Sequence, residues 1–190
     1  MKKLLVILFL LSFSFQSFAQ KDGWISLFNG KNLDGWKISE NPSSFAVVNG
    51  EIKIDGPRAH AFYVGDVNNG EFKDFEFITE VKTMPKANSG IFFHTAYQES
   101  GWPNKGYEVQ VNQTHTDWRK TGSLYGVNDV KENLAKDDEW YEYHIIVKDK
   151  RVIIKINDKL AVDYTEPETL PEDRGKKRLS SGTIALQGHD

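Results

Sequence analysis

The sequence predicts an all-β fold, a sandwich of antiparallel sheets, on three observations. Short β-branched or aromatic runs recur along the chain, separated by Gly, Pro, Asn and Asp, which is the spacing of strands joined by turns. Asn49-Gly50 stands between two of these runs, and both residues tolerate the positive φ of a type I′ hairpin turn. Past the N-terminal segment, no window keeps apolar residues at helical spacing for about three turns, which argues against a Rossmann or barrel enzyme.

Strands are expected at residues 45–48, 51–54, 75–81, 90–95, 107–111, 141–147, 152–156 and 183–186. Asp149-Lys150 is read as the turn of a second hairpin. Alternation then says which side chains leave the core. Tyr107, Val109 and Val111 share one face of their strand, and Glu108 and Gln110 the other. His94 falls on the face of Gly90 and Phe92, opposite Ile91 and Phe93. In the last run Ile184 and Leu186 enter the core, while Gln187 points away and His189 follows at the same parity. Three strands thus offer polar groups for one face.

At the N-terminus, Lys2 and Lys3 precede the apolar run 4–11 and the small-residue site Ser17-Phe18-Ala19. This is the pattern of a secretory signal peptide over residues 1–19, and the run is too short and interrupted to span a bilayer. Cleavage after Ala19 would leave a single domain, 20–190, of about 170 residues, enough for one substantial core. The chain has no cysteine, so lipid attachment, disulfides and thiolate metal sites are excluded. An exported product, periplasmic or extracellular and without a membrane anchor, is expected. The net charge of −3 argues against nucleic acid as a partner. The basic run 174–178 reads as a solvated loop, because no aromatic residue is interleaved with it.

Beyond these patterns the chain resembles the 3-keto-disaccharide hydrolase domain family. The resemblance covers nearly the whole chain after the leader. It is carried by Trp24-Ile25-Ser26-Leu27-Phe28-Asn29-Gly30-Lys31 with Leu33-Asp34-Gly35-Trp36, by Asn88-Ser89-Gly90-Ile91-Phe92-Phe93-His94, and by Gly106-Tyr107-Glu108-Val109-Gln110. Gly122-Ser123-Leu124-Tyr125-Gly126, Glu139-Trp140 and Gly182-Thr183-Ile184-Ala185-Leu186-Gln187-Gly188-His189 complete it. The resemblance implies a concanavalin A-like jelly-roll β-sandwich of two curved antiparallel sheets with a sugar site on the concave face. It also implies a hydrolase that cleaves 3-keto glycosides or disaccharides. Members of the family continue past the Leu-Gln-Gly-His segment, whereas this chain stops at Asp190. The resemblance implies a further strand past this segment, and a domain without that strand would leave a sheet edge unpaired.

A standard glycosidase needs two carboxyl groups about 5 Å, or about 6.5 to 9.5 Å, apart. Glucanases of this fold place them at alternate positions of one strand, where this chain has Glu108 and Gln110. An amide can bind a hydroxyl but cannot attack or abstract. A carbonyl at C3 changes the demand, because it acidifies the C2 proton and lets the C1 substituent leave by elimination. One base and one acid then suffice. Glu108 is the candidate base, and His94 or His189 the candidate acid or carbonyl polariser. Gln110, Tyr125, Lys120 and Gln187 are candidate substrate ligands, and Trp102 and Trp118, in the loops flanking the Glu108 strand, candidate stacking platforms.

Each has a plainer reading. Glu108 and Gln110 could make only cross-strand hydrogen bonds, and His94 could be a buried, hydrogen-bonded ring. Tyr125 could be a core residue, Lys120 and Arg119 solvated loop charges, and His189 part of a loose terminus. Trp24, Trp36 and Trp140 are assigned to the core. His60, His94, His115 and Asp117 could be assembled into a metal site, but no HxH or HExxH spacing supports one, so no metal or cofactor is assigned. A non-catalytic, lectin-like module and a structural or partner-binding sandwich remain the competing functions.

Overall fold

The computed structural model describes residues 23–172 and 177–189. The signal-peptide segment with its cleavage site, most of the basic run and Asp190 lie outside the described residues. Among the described residues there are eleven strands: β1 (Trp36–Ile38), β2 (Phe45–Val48), β3 (Glu51–Ile54), β4 (Ala59–Tyr63), β5 (Phe75–Val81), β6 (Asn88–Thr95), β7 (Tyr107–Asn112), β8 (Tyr141–Lys148), β9 (Arg151–Ile156), β10 (Lys159–Thr165) and β11 (Thr183–Gly188). They form a five-stranded sheet in the order β1-β4-β11-β6-β7, a four-stranded sheet β10-β9-β8-β5, and the separate hairpin β2-β3. The paired strands run antiparallel. This is the jelly-roll sandwich expected. Among the described residues no helix is long and apolar enough to cross a membrane.

Alternate side chains of the two large sheets meet in one core. Ala61 and Tyr63 of β4, Ile91 and Phe93 of β6, Tyr107, Val109 and Val111 of β7 and Ile184 of β11 pack against Tyr143, Ile145, Val152, Ile154 and Ile156 of β8 and β9. Asn49-Gly50 turns β2 into β3, with Val48 opposite Glu51, and Asp149-Lys150 turns β8 into β9, with Lys148 opposite Arg151.

Three strands escape the sequence pattern. β4 is buried on both faces, so it shows no polar alternation. β10 is a sheet edge whose register shifts between Leu160 and Val162; the shift leaves Leu160 exposed while Val162 is buried, which scrambles a period of two. β1 has three residues, too few to show any period. Of the tryptophans expected inside, Trp36 is buried and its indole N–H donates to the Leu27 carbonyl at 2.9 Å. Trp24 is half-buried beside His144 on the outside of the four-stranded sheet, their ring centres 6.2 Å apart. Trp140, by contrast, is 46% exposed with the Lys82 ammonium 4.9 Å from its ring; it sits just before β8, where the sheet has not yet covered it.

Candidate functional site

The face of the five-stranded sheet turned away from the core gathers polar residues at matching register. Gln187 of β11 lies opposite His60 of β4, and Gly90 of β6 lies opposite Gln110 of β7. Glu108, two residues before Gln110, leans across Gly90, where a Cβ would collide with its carboxylate. The missing side chain therefore creates the space Glu108 occupies. There Glu108 Oε1 accepts the Gln187 amide N–H at 3.0 Å. Burial pushes the Glu108 carboxyl from its usual 4.5 up to about 7, against the hydrogen bond from Gln187 and the attraction of Lys177, with the Asp117 charge adding to the rise. Gln110 is 2% exposed, and its amide donates to Asn88 Oδ1 at 2.8 Å.

Beyond β7 the chain is pinned as a further edge: Gln110 N–H donates to the Ser123 carbonyl at 2.9 Å and Tyr125 N–H to the Glu108 carbonyl at 2.9 Å. Leu124 enters the core, so Tyr125, next in alternation, faces the site. Its hydroxyl donates to Asp117 Oδ2 at 3.1 Å. Burial, then the charge of Asp117, raises the Tyr125 pKa, so the phenol stays protonated and remains a donor.

Asp117 is held by a built loop. Asn112, fully buried at the end of β7, donates from its amide to the carbonyls of Asp117 at 2.9 Å and Arg119 at 2.7 Å, and accepts His115 N–H at 3.0 Å. Lys120 Nζ closes the same loop by donating to the His115 and Asp117 carbonyls, each at 2.9 Å. Lys120, expected from sequence as a substrate ligand, thus fastens the loop that carries Asp117. Arg119, read from sequence as a solvated charge, instead lies against both the Trp118 and Tyr125 rings, 4.7 and 4.6 Å from their centres, and pairs with Asp129 at 3.3 Å. Trp118 stands 48% exposed at this rim.

His94 departs most from expectation. Two residues of β6, Phe93 and His94, face the single Ile184 of β11 between the pairs Ala185↔Phe92 and Thr183↔Thr95, and His94 has φ of 53°. This is a β-bulge, which reverses parity. Gly106 and Gly182 flank it, and a Cβ at either would run into the bulge backbone. The ring of His94 lies against Phe93 and Phe75, 5.3 and 5.8 Å away. Its Nδ1 accepts Ser180 N–H at 3.1 Å, so Nε2 carries the hydrogen and donates to the Lys73 carbonyl at 2.8 Å. Burial lowers its pKa. Both nitrogens are engaged with backbone away from Glu108, and His94 is the buried, bonded ring of the plainer reading.

His189 keeps the parity of Gln187. Its ring is tilted against Trp102 at 4.8 Å and lies 6.3 Å from His115, and burial lowers its pKa. Trp102 is 44% exposed, with the Arg58 guanidinium 5.0 Å from its ring and His60 edge-on at 5.6 Å. Glu40 braces this corner by a 2.9 Å ion pair with Arg58 and by accepting Gly101 N–H at 2.9 Å. The structure therefore brings Glu108, Gln110, Gln187, Tyr125, His189, Trp102 and Trp118 to one face or its rim, turns His94 to backbone partners at the bulge, and uses Lys120 to fasten the loop that carries Asp117. It adds Arg119, and it brings in Asp117 and His60, which sequence reading weighed as possible metal ligands. His60 lay in the unread strand β4, whose burial on both faces leaves no polar alternation to mark it. No group of three or more His, Cys, Asp or Glu residues placed to hold a metal ion occurs among the described residues.

Residues 23–190 match the model of a family described as the 3-keto-alpha-glucoside-1,2-lyase-like domain. The chain is 28% identical over 171 residues to a 3-keto-disaccharide hydrolase of Bacteroides thetaiotaomicron, covering 75% of this chain and 59% of that protein. It thus spans well under two thirds of the length of this curated relative. In structure it is similar to a Parabacteroides distasonis protein provisionally described as a glycosyl hydrolase, with a TM-score of 0.66 at 20% identity over 86% of each chain. A carbohydrate-binding module of Bacillus subtilis has a TM-score of 0.57 at 13% identity, covering 82% of this chain and 88% of that one. A Bacillus licheniformis β-glucanase has a TM-score of 0.55 at 13% identity, covering 84% and 81%. These likenesses concern the fold.

Proposed function

Because this chain belongs to the 3-keto-α-glucoside-1,2-lyase-like domain family, we propose that it cleaves 3-keto glycosides or disaccharides by elimination across C1 and C2, with hydration of the product completing net hydrolysis. The observation that carries this reading is Glu108, a single carboxyl group with a pKa near 7 set over Gly90 and oriented by Gln187. A general base works best with a pKa close to the operating pH. The ionised carboxylate takes the C2 proton, and the electron pair passes into the C3 carbonyl as an enolate. The carbonyl then re-forms, C1–C2 becomes a double bond, and the C1–O bond breaks with a proton delivered to the departing oxygen. Tyr125 O–H and a ring N–H of His189, both held neutral by burial, serve the C3 oxygen and the leaving oxygen between them. Gln110 leaves the strand without a second carboxylate, so neither retaining nor inverting glycosidase chemistry is built there. Export through the N-terminal segment to the periplasm or medium belongs to the same proposal, and a mature chain beginning at Gln20 is its test.

Purified protein incubated with a 3-keto glucoside and with its unoxidised parent tests the chemistry. Release of aglycone from the keto substrate alone is expected, with Glu108→Gln lowering kcat on the order of 10³-fold. Full turnover by that variant would sink the assignment of Glu108. Binding of both sugars without release from either would make the protein a lectin-like module.

A further inference from the structure

Beside Glu108 lies a second group of polar atoms that the proposed elimination does not use. His60 is completely buried, yet neither ring nitrogen has a hydrogen-bond partner among the described residues. Gln187, its cross-strand neighbour, gives its amide N–H to Glu108 but leaves its buried Oε1 without a partner. Native structures pair nearly all buried polar atoms, and a cluster left over asks for a cause. The neighbours of the His60 ring are Phe62 at 6.1 Å, Phe92 at 5.5 Å and Trp102 at 5.6 Å, among which an apolar side chain would pack without any such penalty. Trp102 is the exposed member of this set and roofs the imidazole from the rim.

We propose that His60 and Gln187 form a subsite for two neighbouring hydroxyl groups of the bound glycoside, roofed by the ring of Trp102, which turns aside when the sugar enters. The subsite rests on the reading of this face as a sugar site. A neutral imidazole offers one donor and one acceptor, and Gln187 Oε1 offers a second acceptor; a vicinal diol, which both donates and accepts, satisfies all three. Burial holds His60 near pKa 4, uncharged at neutral pH, so the subsite takes neutral sugar hydroxyls in preference to carboxylate or phosphate groups. Because the same Gln187 side chain positions Glu108, a sugar seated here is registered against the base. Side-chain rearrangement of this kind at a rim is common on binding.

The test is His60→Phe, compared with His60→Gln, measuring Kd for the unoxidised glycoside by calorimetry, KM and kcat on the 3-keto glucoside, and Tm. His60→Phe is expected to raise Kd and KM about tenfold and to keep or raise Tm, while His60→Gln recovers most of the affinity. Unchanged Kd and KM in His60→Phe would overturn the subsite, as would a variant that does not fold, since the imidazole would then serve the fold. Absence of binding by the unaltered protein would overturn it too. Binding without release of aglycone would instead sink the elimination and leave the comparison of Kd values intact. For the roof, the change in tryptophan fluorescence on adding the unoxidised glycoside should be smaller in Trp102→Phe than in the unaltered protein; the same change in both proteins would show that Trp102 does not move.

Discussion

Glu108 illustrates at the residue scale how a site costs stability. Its carboxyl is held near pKa 7 by burial, so at neutral pH folding confines part of a charge that the unfolded chain exposes to water. Glu108→Gln should therefore stabilise the protein on the order of 2 kcal/mol at pH 8 while lowering turnover, a pairing that thermal melts and kinetics on one preparation will show. Turnover should rise with pH through about 7, as the carboxylate forms. Gly90→Ala asks for the same space that Glu108 fills; we expect at least a tenfold loss of kcat with a modest fall in Tm, and a variant with normal kcat would show that the carboxylate has other productive positions. Parity alone placed Glu108, Gln110 and Gln187 on the correct face from sequence, because regular strands obey a period of two. His94 was misplaced because one residue at φ of 53° turns a bulge that no residue type announces.

The decisive element is the loop that follows β7. Its polar residues read as a solvated stretch, but Asn112 and Lys120 convert it into a fixed platform for Asp117 and Arg119. Lys120→Met removes two charge-assisted hydrogen bonds; a loss of about 1–2 kcal/mol in chemical denaturation is expected, with a raised KM as Asp117 and Tyr125 loosen. If Lys120 instead touched substrate, KM would rise with no change in stability. The bulge in β6 depends similarly on its glycine neighbours. Gly106 has φ of 78° and its missing side chain admits the Phe93 carbonyl, so Gly106→Ala should destabilise by about 2–4 kcal/mol, measurable as a shifted denaturation midpoint.

Across the whole molecule, two buried groups of opposite charge type set the pH profile of stability. Glu108, near 7 in the folded chain against an ordinary 4.5, keeps a proton that the unfolded chain has released. Its contribution is present in acid and is lost as pH rises from 4.5 toward 7. His60, near 4 against 6.5, does the reverse: its contribution is present above pH 6.5 and is lost as pH falls toward 4. The windows overlap and the slopes oppose each other, while His94 and His189, also lowered by burial, tilt the sum toward loss in acid. Urea denaturation between pH 4.5 and 7 should show Glu108→Gln losing stability on acidification more steeply than the unaltered protein, and His60→Phe less steeply. Parallel profiles for all three would mean that neither group is perturbed as the structure indicates.

The sequence by itself determined the all-β class, most of the strands, both of the hairpins it marked and the face on which Glu108, Gln110 and Gln187 lie, because alternation and turn chemistry are local. Tertiary structure alone decided what depends on distant neighbours. It buried both faces of β4 and so hid His60, turned His94 inward at a bulge crowded by Gly106 and Gly182, and brought β11 between β4 and β6. That last insertion sets Gln187 between His60 and Glu108, residues far apart in the chain. Burial and register are properties of the assembled sheets, and they turn an ordinary glutamate into one with a pKa near neutrality.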